Sequence, residues 1–332
     1  MSHGIEVEVK LSVEQPELIR SLIETPHPHQ LAGFDAVTDV REVVVVDRYF
    51  DTADHALDAV LARARLRESR GRIVLTFKRS GIVGAGGVTE RTELEGPATS
   101  ELDPARWPDS QARTELTAVI GAAPLFETAR LRQQRLVRDL HRGDTTIELS
   151  LDRLEALDGD AVVATRWELE AEMKAGSRDD LVELSNALQV LPGISLAAES
   201  KRLFAILAVA GARHAAVGDP AGAAVETFDA IAATFLGEPD VTGGTGFGSS
   251  PRLRRAGRIF AMVAGGRLVF KLPANRVSEL LAGGTGLPFD AGKGRPMREW
   301  VALAPGATGD APALAGEAYA FSAERRSSAS GR

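Results

Sequence analysis

The chain of 332 residues contains no cysteine, which excludes a disulfide framework and any site built on a thiolate. Aromatic residues make up only 5% of it, with two tyrosines and three tryptophans, so an aromatic-rich pocket for stacking a nucleobase is not evident. No run approaches the ~20 consecutive apolar residues that a membrane span requires. Glutamates appear early and no apolar segment precedes them, so a secretory leader is not expected and a cytoplasmic location is. Lysine is scarce: of 39 cationic residues six are lysines, at positions 10, 78, 174, 201, 271 and 293. A net charge of −7 argues against a generally basic nucleic-acid binder. What remains is ordinary for a globular protein, 44% hydrophobic and 26% charged, and the length suggests two domains.

What is abundant is charge in alternation. Ile5-Glu6-Val7-Glu8-Val9-Lys10-Leu11 reads as a strand with Glu6, Glu8 and Lys10 on one face and aliphatics on the other. Two carboxylates two residues apart on a strand can share a divalent cation, with an ammonium beside them. Arg63, Arg65 and Arg67 alternate with Ala64 and Leu66. Arg72, Val74, Thr76 and Lys78 alternate with Ile73, Leu75 and Phe77. A glycine-rich turn, Gly81 to Gly87, leads on to Arg91, Glu93 and Glu95, as in a hairpin with a mobile loop. Further strands are expected over Val43–Phe50, Arg130–Leu140, Ile147–Leu151 and Trp167–Met173, the last placing Glu168, Glu170 and Glu172 together. Helices are expected from Pro16, around Gln111–Ile120, after Ser177 and from Ser200-Lys201-Arg202. His27 and His29 flank prolines and read as loop residues. Such strands suit a β-sandwich with its charges in water, or a closed barrel with its charges inside. Periodicity does not choose between them.

Taken in order over residues 3–208, these segments resemble the CYTH domain family, the triphosphate tunnel metalloenzymes. Glu6-Val7-Glu8-Val9-Lys10 is similar to the family's ExExK signature and Tyr49-Phe50-Asp51-Thr52 to its YYDT-like strand. Arg65-Leu66-Arg67 resembles LRxR, Leu75-Thr76-Phe77-Lys78 resembles LTxK, and Arg91-Thr92-Glu93-Leu94-Glu95 resembles RxExE. Arg132, Asp152, Glu168 to Glu172 and Ser200-Lys201 complete the set. The resemblance implies an α+β protein: over residues 1–210, an eight-stranded antiparallel β tunnel, charged inside, with flanking helices.

It also implies site roles. Glu6, Glu8, Glu168, Glu170 and Glu172 would bind Mg²⁺ or Mn²⁺. Glu93 and Asp152 would assist that site or position water. Lys10, Arg65, Arg67, Lys78, Arg91, Arg132 and Lys201 would bind triphosphate oxygens, Arg132 and Lys201 being counted as catalytic with Glu93 and Asp152. The spacing admits either Arg132 or Arg135 as the inward ligand. A triphosphate carries about four negative charges, so converging cations and a metal are needed to offset its desolvation. Oxygen ligands suit hard cations. The implied activity is metal-dependent hydrolysis of inorganic, nucleoside or thiamine triphosphate by in-line attack of water. The alternatives are a class IV-type adenylate cyclase and a non-catalytic polyphosphate or nucleotide sensor.

The remainder reads differently. Residues 211–223 are Gly/Ala-rich and suggest a linker. Val225–Leu236 suggests a helix, and Arg258–Val263 and Arg267–Leu272 flank a Gly265-Gly266 turn as in a hairpin. Residues 224–322, through Phe247-Gly248-Ser249, Lys271-Leu272-Pro273 and Met297 to Val301, resemble the TfoX N-terminal/YjbR (MmcQ-like) family of small α+β modules. No Lys-Ser/Thr follows the Gly243–Gly248 loop, so it reads as a bare turn rather than a phosphate cradle. Without an acidic cluster or a nucleophile–base pair, this half is expected to bind or regulate, with a protein partner in view. Residues 323–332 are expected to be a disordered tail.

Overall fold

Eight strands of alternating polarity run through residues 4–175 and close on one another. The computed structural model describes residues 4–25, 31–197, 199–217, 219–236, 238, 240–245, 251–291 and 295–324. His27, His29, Phe247 to Ser249, Lys293 and residues 325–332 lie outside these. The chain divides into two compact units, Met1–Ala205 and Ile206–Arg332.

In the first unit the strands are β1 (Gly4–Val13), β2 (Arg41–Thr52), β3 (Ala62–Ser69), β4 (Arg72–Arg79), β5 (Thr89–Pro97), β6 (Leu125–Arg142), β7 (Thr145–Asp158) and β8 (Ala161–Ala175). Their order is β1-β8-β7-β6-β2-β3-β4-β5, every neighbouring pair is antiparallel, and β5 pairs back onto β1. The result is a closed eight-stranded barrel, so the expected tunnel is the architecture found and the sandwich is not. The β3–β4 connection has Arg70 and Gly71 both at positive φ (50° and 72°), the backbone that a two-residue hairpin turn demands.

Most aliphatic side chains of the strands point outward, under helices, whereas Val45, Leu131 and Leu154 share the inward face of Asp47 and Gln133 and are buried there. Val7, Val9 and Leu11 of β1, Leu149 and Leu151 of β7 and Leu169 of β8 are buried with Ile19 and Ile23 of α1 (Pro16–Glu24) and Leu181, Leu184 and Leu188 of α4 (Arg178–Gln189). Elsewhere on the outside Leu66, Leu75, Phe77 and Leu94 are buried with Leu57 of α2 (Ala56–Ala59) and Leu116 of α3 (Gln111–Ile120). Each outward side chain contributes roughly 1.5–3 kcal/mol of transfer free energy, so the outer shell carries most of the barrel's apolar burial. Local signals set the helix starts: Pro16 opens α1, Ser110 Oγ accepts from the Arg113 N–H, and Ser177 Oγ accepts from the Asp179 N–H.

The boundary between units falls within α5 (Lys201–Val217), and α6 (Pro220–Phe235) follows. Residues 211–223, read as a linker, are therefore helical up to Val217 and again from Pro220. The second unit has a six-stranded antiparallel sheet of β9 (Val241–Thr245), β10 (Pro251–Arg255), β11 (Arg258–Ala264), β12 (Arg267–Lys271), β13 (Gly286–Pro288) and β14 (Trp300–Leu303), in the order β9-β10-β11-β12-β14-β13. Its own core joins Phe228, Phe260, Phe270, Val301 and Leu314, with helices α6, α7 (Ala274–Ala282) and α8 (Ala311–Glu324). Among the described residues no helix is long and apolar enough to cross a membrane.

Candidate active site

Directly opposed residues on antiparallel strands share a face, so the register identifies what lines the barrel. On β1, Glu6 lies opposite Arg91, Glu8 opposite Glu172, Lys10 opposite Glu170 and Ser12 opposite Glu168. Continuing round, Glu168 is opposite Asp152, and Asp152 opposite Arg135. On the other wall Asp47 is opposite Arg67, Tyr49 opposite Arg65, Arg65 opposite Thr76, and Lys78 opposite both Arg63 and Glu93. Lys201, the first residue of α5, adds an ammonium that is 5% exposed. Charges from eight strands and a helix thus meet in one interior.

They are paired tightly. The Lys78 ammonium donates to both Glu6 oxygens at 2.9 Å and lies 3.1 Å from Glu93. Arg91 bridges Glu6, at 2.6 Å, and Glu8. Lys10 lies 3.0 Å from Glu8 and donates to Glu170. Arg135 donates to Asp152 at 2.9 Å, Ser150 at 2.7 Å and Glu170 at 3.1 Å. Lys201 contacts Asp152, Gln133 Oε1 at 2.8 Å and Glu170 at 3.0 Å. Arg166 donates to Glu168 at 2.8 Å and to Glu199 at 2.6 Å.

Burial and partners separate the protonation behaviour of these acids. Burial alone would raise Glu6, yet Lys78, Arg91 and Lys10 hold it well below the usual carboxylate range. Glu170 is held down in the same way, by Lys10, Lys201 and Arg135. Glu93 is pushed up to about 7, by burial and by the neighbouring Glu6 carboxylate, against Lys78. Glu168 is likewise raised to about 7 by burial and by Glu170, Lys201 opposing. Burial, helped by Arg65 and Arg91, lowers the Lys78 ammonium. The site therefore holds carboxylates kept in the ionised form by their cations beside two whose proton affinity is raised toward neutrality.

Arg132 is the exception to the expected lining. On β6 the inward parity is that of Gln133 and Arg135, so Arg132, an odd number of residues from both, points the other way. It pairs with Glu155 on the outer face and its side chain is 41% exposed. The inward cation is Arg135. Glu172 does face inward but sits near the rim, 2.7 Å from Lys174. Three lining residues escaped the sequence reading: Asp47, Gln133 and Arg166. Asp47 had one faint signal, an acid interrupting a valine run two residues before Tyr49.

The carboxylates supply only oxygen donors, and Glu168 Oε1 is buried without a hydrogen-bond partner. Such a set fits a hard divalent cation. Among the described residues, the group whose ligand atoms already lie within 4.8 Å of one another is elsewhere, Asp51, His55 and Asp58. Asp51 accepts the N–H groups of Thr52, Leu57 and Asp58, and Asp58 forms ion pairs with Arg63 at 2.8 Å and Arg202 at 3.1 Å, although its Oδ1 accepts no hydrogen bond. Asp51 thereby satisfies the first-turn N–H groups of α2.

The family model of the CYTH domain matches residues 4–202. The chain belongs to the CYTH domain family. The match covers the barrel and the start of α5 and stops before the second unit. Among solved structures, this CYTH chain is similar to HpAC1 from Hippeastrum, described as an adenylyl cyclase candidate with a dominant triphosphatase activity, at 20% identity over 60% of this chain and 94% of that one (TM-score 0.46). A Bacillus halodurans protein proposed to be an adenylate cyclase matches at 18% identity over 59% and 95% (TM-score 0.41). The Schizosaccharomyces pombe RNA triphosphatase Pct1 matches at 14% identity over 56% and 76% (TM-score 0.28). Comparison with curated proteins finds no match.

Proposed function

We propose that this CYTH protein is a metal-dependent triphosphatase that hydrolyses the terminal phosphate of inorganic, nucleoside or thiamine triphosphate. One observation carries the reading: Lys10, Arg65, Arg67, Lys78, Arg91, Arg135 and Lys201 converge, largely buried, in a single closed tunnel together with acidic residues. Cations so placed bind a polyanion by charge-assisted hydrogen bonds, and phosphoryl transfer depends chiefly on such positioning and neutralisation. Glu6, Glu8, Glu168, Glu170 and Glu172 are the residues to hold Mg²⁺ or Mn²⁺, which would polarise phosphate oxygens and lower the pKa of a bound water. Glu93, protonating near 7, and Asp152 are the residues we assign to accept the proton of the attacking water. Lys78 and Arg91, which neutralise Glu6, would hold phosphate oxygens if Glu6 served as a metal ligand. The second unit fits a TfoX-like binding or regulatory module with a protein partner, and the whole fits a cytoplasmic setting.

The test is release of phosphate from tripolyphosphate, ATP and thiamine triphosphate with Mg²⁺ or Mn²⁺, with cyclic AMP assayed in parallel. Glu6→Gln combined with Glu8→Gln is expected to lower kcat at least about 100-fold, the scale of removing preorganised charge from a transition state. Absence of phosphate release from every substrate with either metal overturns the assignment, and cyclic AMP as the main product replaces it with a cyclase.

A further inference from the structure

Asp47 lies in the middle of β2, inside the barrel, and is wholly buried. Its carboxylate accepts two hydrogen bonds from Arg67, from Nε and from an Nη, both at 2.7 Å. It accepts a third from an Nη of Arg65 at 3.0 Å and a fourth from Gln133 Nε2. Gln133 is itself fully buried, and its Oε1 accepts from the Lys201 ammonium at 2.8 Å. A single acid from β2 is therefore joined to two cations of β3 directly, and to the cation of α5 through an amide from β6.

This arrangement is poorly explained as a device for stability. A buried ion cluster adds little over well-packed aliphatics of the same volume, and the barrel already has its apolar shell outside. What the cluster does is restrict rotamers. Arg67 is held by a two-point fork, which fixes the guanidinium plane. Arg65 is held by one nitrogen only, and its Nε is buried with no hydrogen-bond partner. A buried guanidinium donor left open beside a saturated acid is what an anionic ligand would complete.

We propose that Asp47 is a positioning residue for polyphosphate binding, orienting Arg65 and Arg67 directly and Lys201 through Gln133. The inference rests on the triphosphatase reading for its ligand. Gln133 donates no group of its own to the substrate: its amide is used on both sides, and its effect passes through Lys201.

A mutational cycle on the full-length protein tests this, with tripolyphosphate affinity measured by calorimetric titration in EDTA and KM and kcat measured with Mg²⁺. Gln133→Met is expected to weaken tripolyphosphate binding about tenfold in the wild-type background, yet less than about twofold on either Lys201→Met or Asp47→Asn, because residues acting as one relay lose their effect together. Asp47→Asn is expected to lose more than Gln133→Met, since it releases both arms. Thermal melts accompany each variant. Should Asp47→Asn fail to fold, the Gln133→Met and Lys201→Met pair decides alone. A full tenfold loss that persists on Lys201→Met, or no loss in the wild type, overturns the relay. A wild-type protein that binds tripolyphosphate with additive variants refutes this inference alone. One that binds none refutes the triphosphatase reading with it.

Discussion

Arg132 and Arg135 differ by three positions and, in a strand, by the whole thickness of the barrel wall. Arg135 neutralises Asp152 and Glu170 at once, so its loss leaves two buried carboxylates short of a partner and a phosphate short of a donor. Arg135→Ala should therefore lower kcat/KM for tripolyphosphate at least about 100-fold, while Arg132→Ala should stay within about twofold, judged from steady-state kinetics on tripolyphosphate with Mg²⁺. The reverse ranking would put Arg132, not Arg135, in contact with the substrate. Most tunnel residues were legible because their strands repeat charge at every second position. Arg132 and Arg135 were not separable that way, since the segment around them reads Arg-Leu-Arg-Gln-Gln-Arg and either parity includes an arginine. Only the pairing of Arg135 with Asp152 fixes which one is inside. Asp47 and Gln133 were illegible for another reason: a single acid and a single amide carry no period, and their meaning comes from side chains on other strands.

At the scale of the element, the eight barrel strands were found and their ends were not, while in the second sheet Val241–Thr245, whose Gly243 to Thr245 had read as part of a bare turn, Pro251–Arg255 and Gly286–Pro288 were not read as strands. The expected Ile147–Leu151 is Thr145–Asp158, and the expected Trp167–Met173 is Ala161–Ala175. The added residues include Leu154 and Ala156, where charge no longer alternates although the ladder continues. Helices α3 and α4 lie where Ser110 and Ser177 cap them, because a cap is a local signal. Barrel closure is not local. It rests on β5 returning to β1, with Glu6 opposite Arg91 across some 85 residues of chain, and alternation is blind to it. The outward faces give an element-scale prediction. Leu151 is fully buried beneath the helices α1 and α4, whereas Ser150 beside it points to the tunnel. Leu151→Ala should destabilise the first unit by about 2–5 kcal/mol, the usual cost of a large-to-small change in a core. The midpoint in urea measures it, and a change below about 1 kcal/mol would mean that the outer shell is not what holds the barrel.

At the scale of the molecule the question is whether what enters the tunnel is consumed there or signalled onward. Each unit has its own core, one around the barrel and one around Phe260 and Phe270. A ligand stabilises whatever binds it by mass action, so tripolyphosphate held at about 100 times its Kd adds about 2.7 kcal/mol, close to a 100-fold slowing of amides exposed by opening of the binding unit. If the protein is a hydrolase whose chemistry ends in the barrel, hydrogen exchange should slow on β1 to β8 and stay unchanged in the sheet formed by β9 to β14. The Glu6→Gln/Glu8→Gln protein lets the complex be followed without turnover. Protection of the barrel alone, with phosphate release by the wild type, is the expected outcome. Protection or loosening that extends to Arg258–Ala264 and Arg267–Lys271 would mean that occupancy of the tunnel changes the second unit. A ligand can do that only if its affinity differs between two states of that unit, so this result, joined to absent turnover, would replace the hydrolase with a polyphosphate sensor.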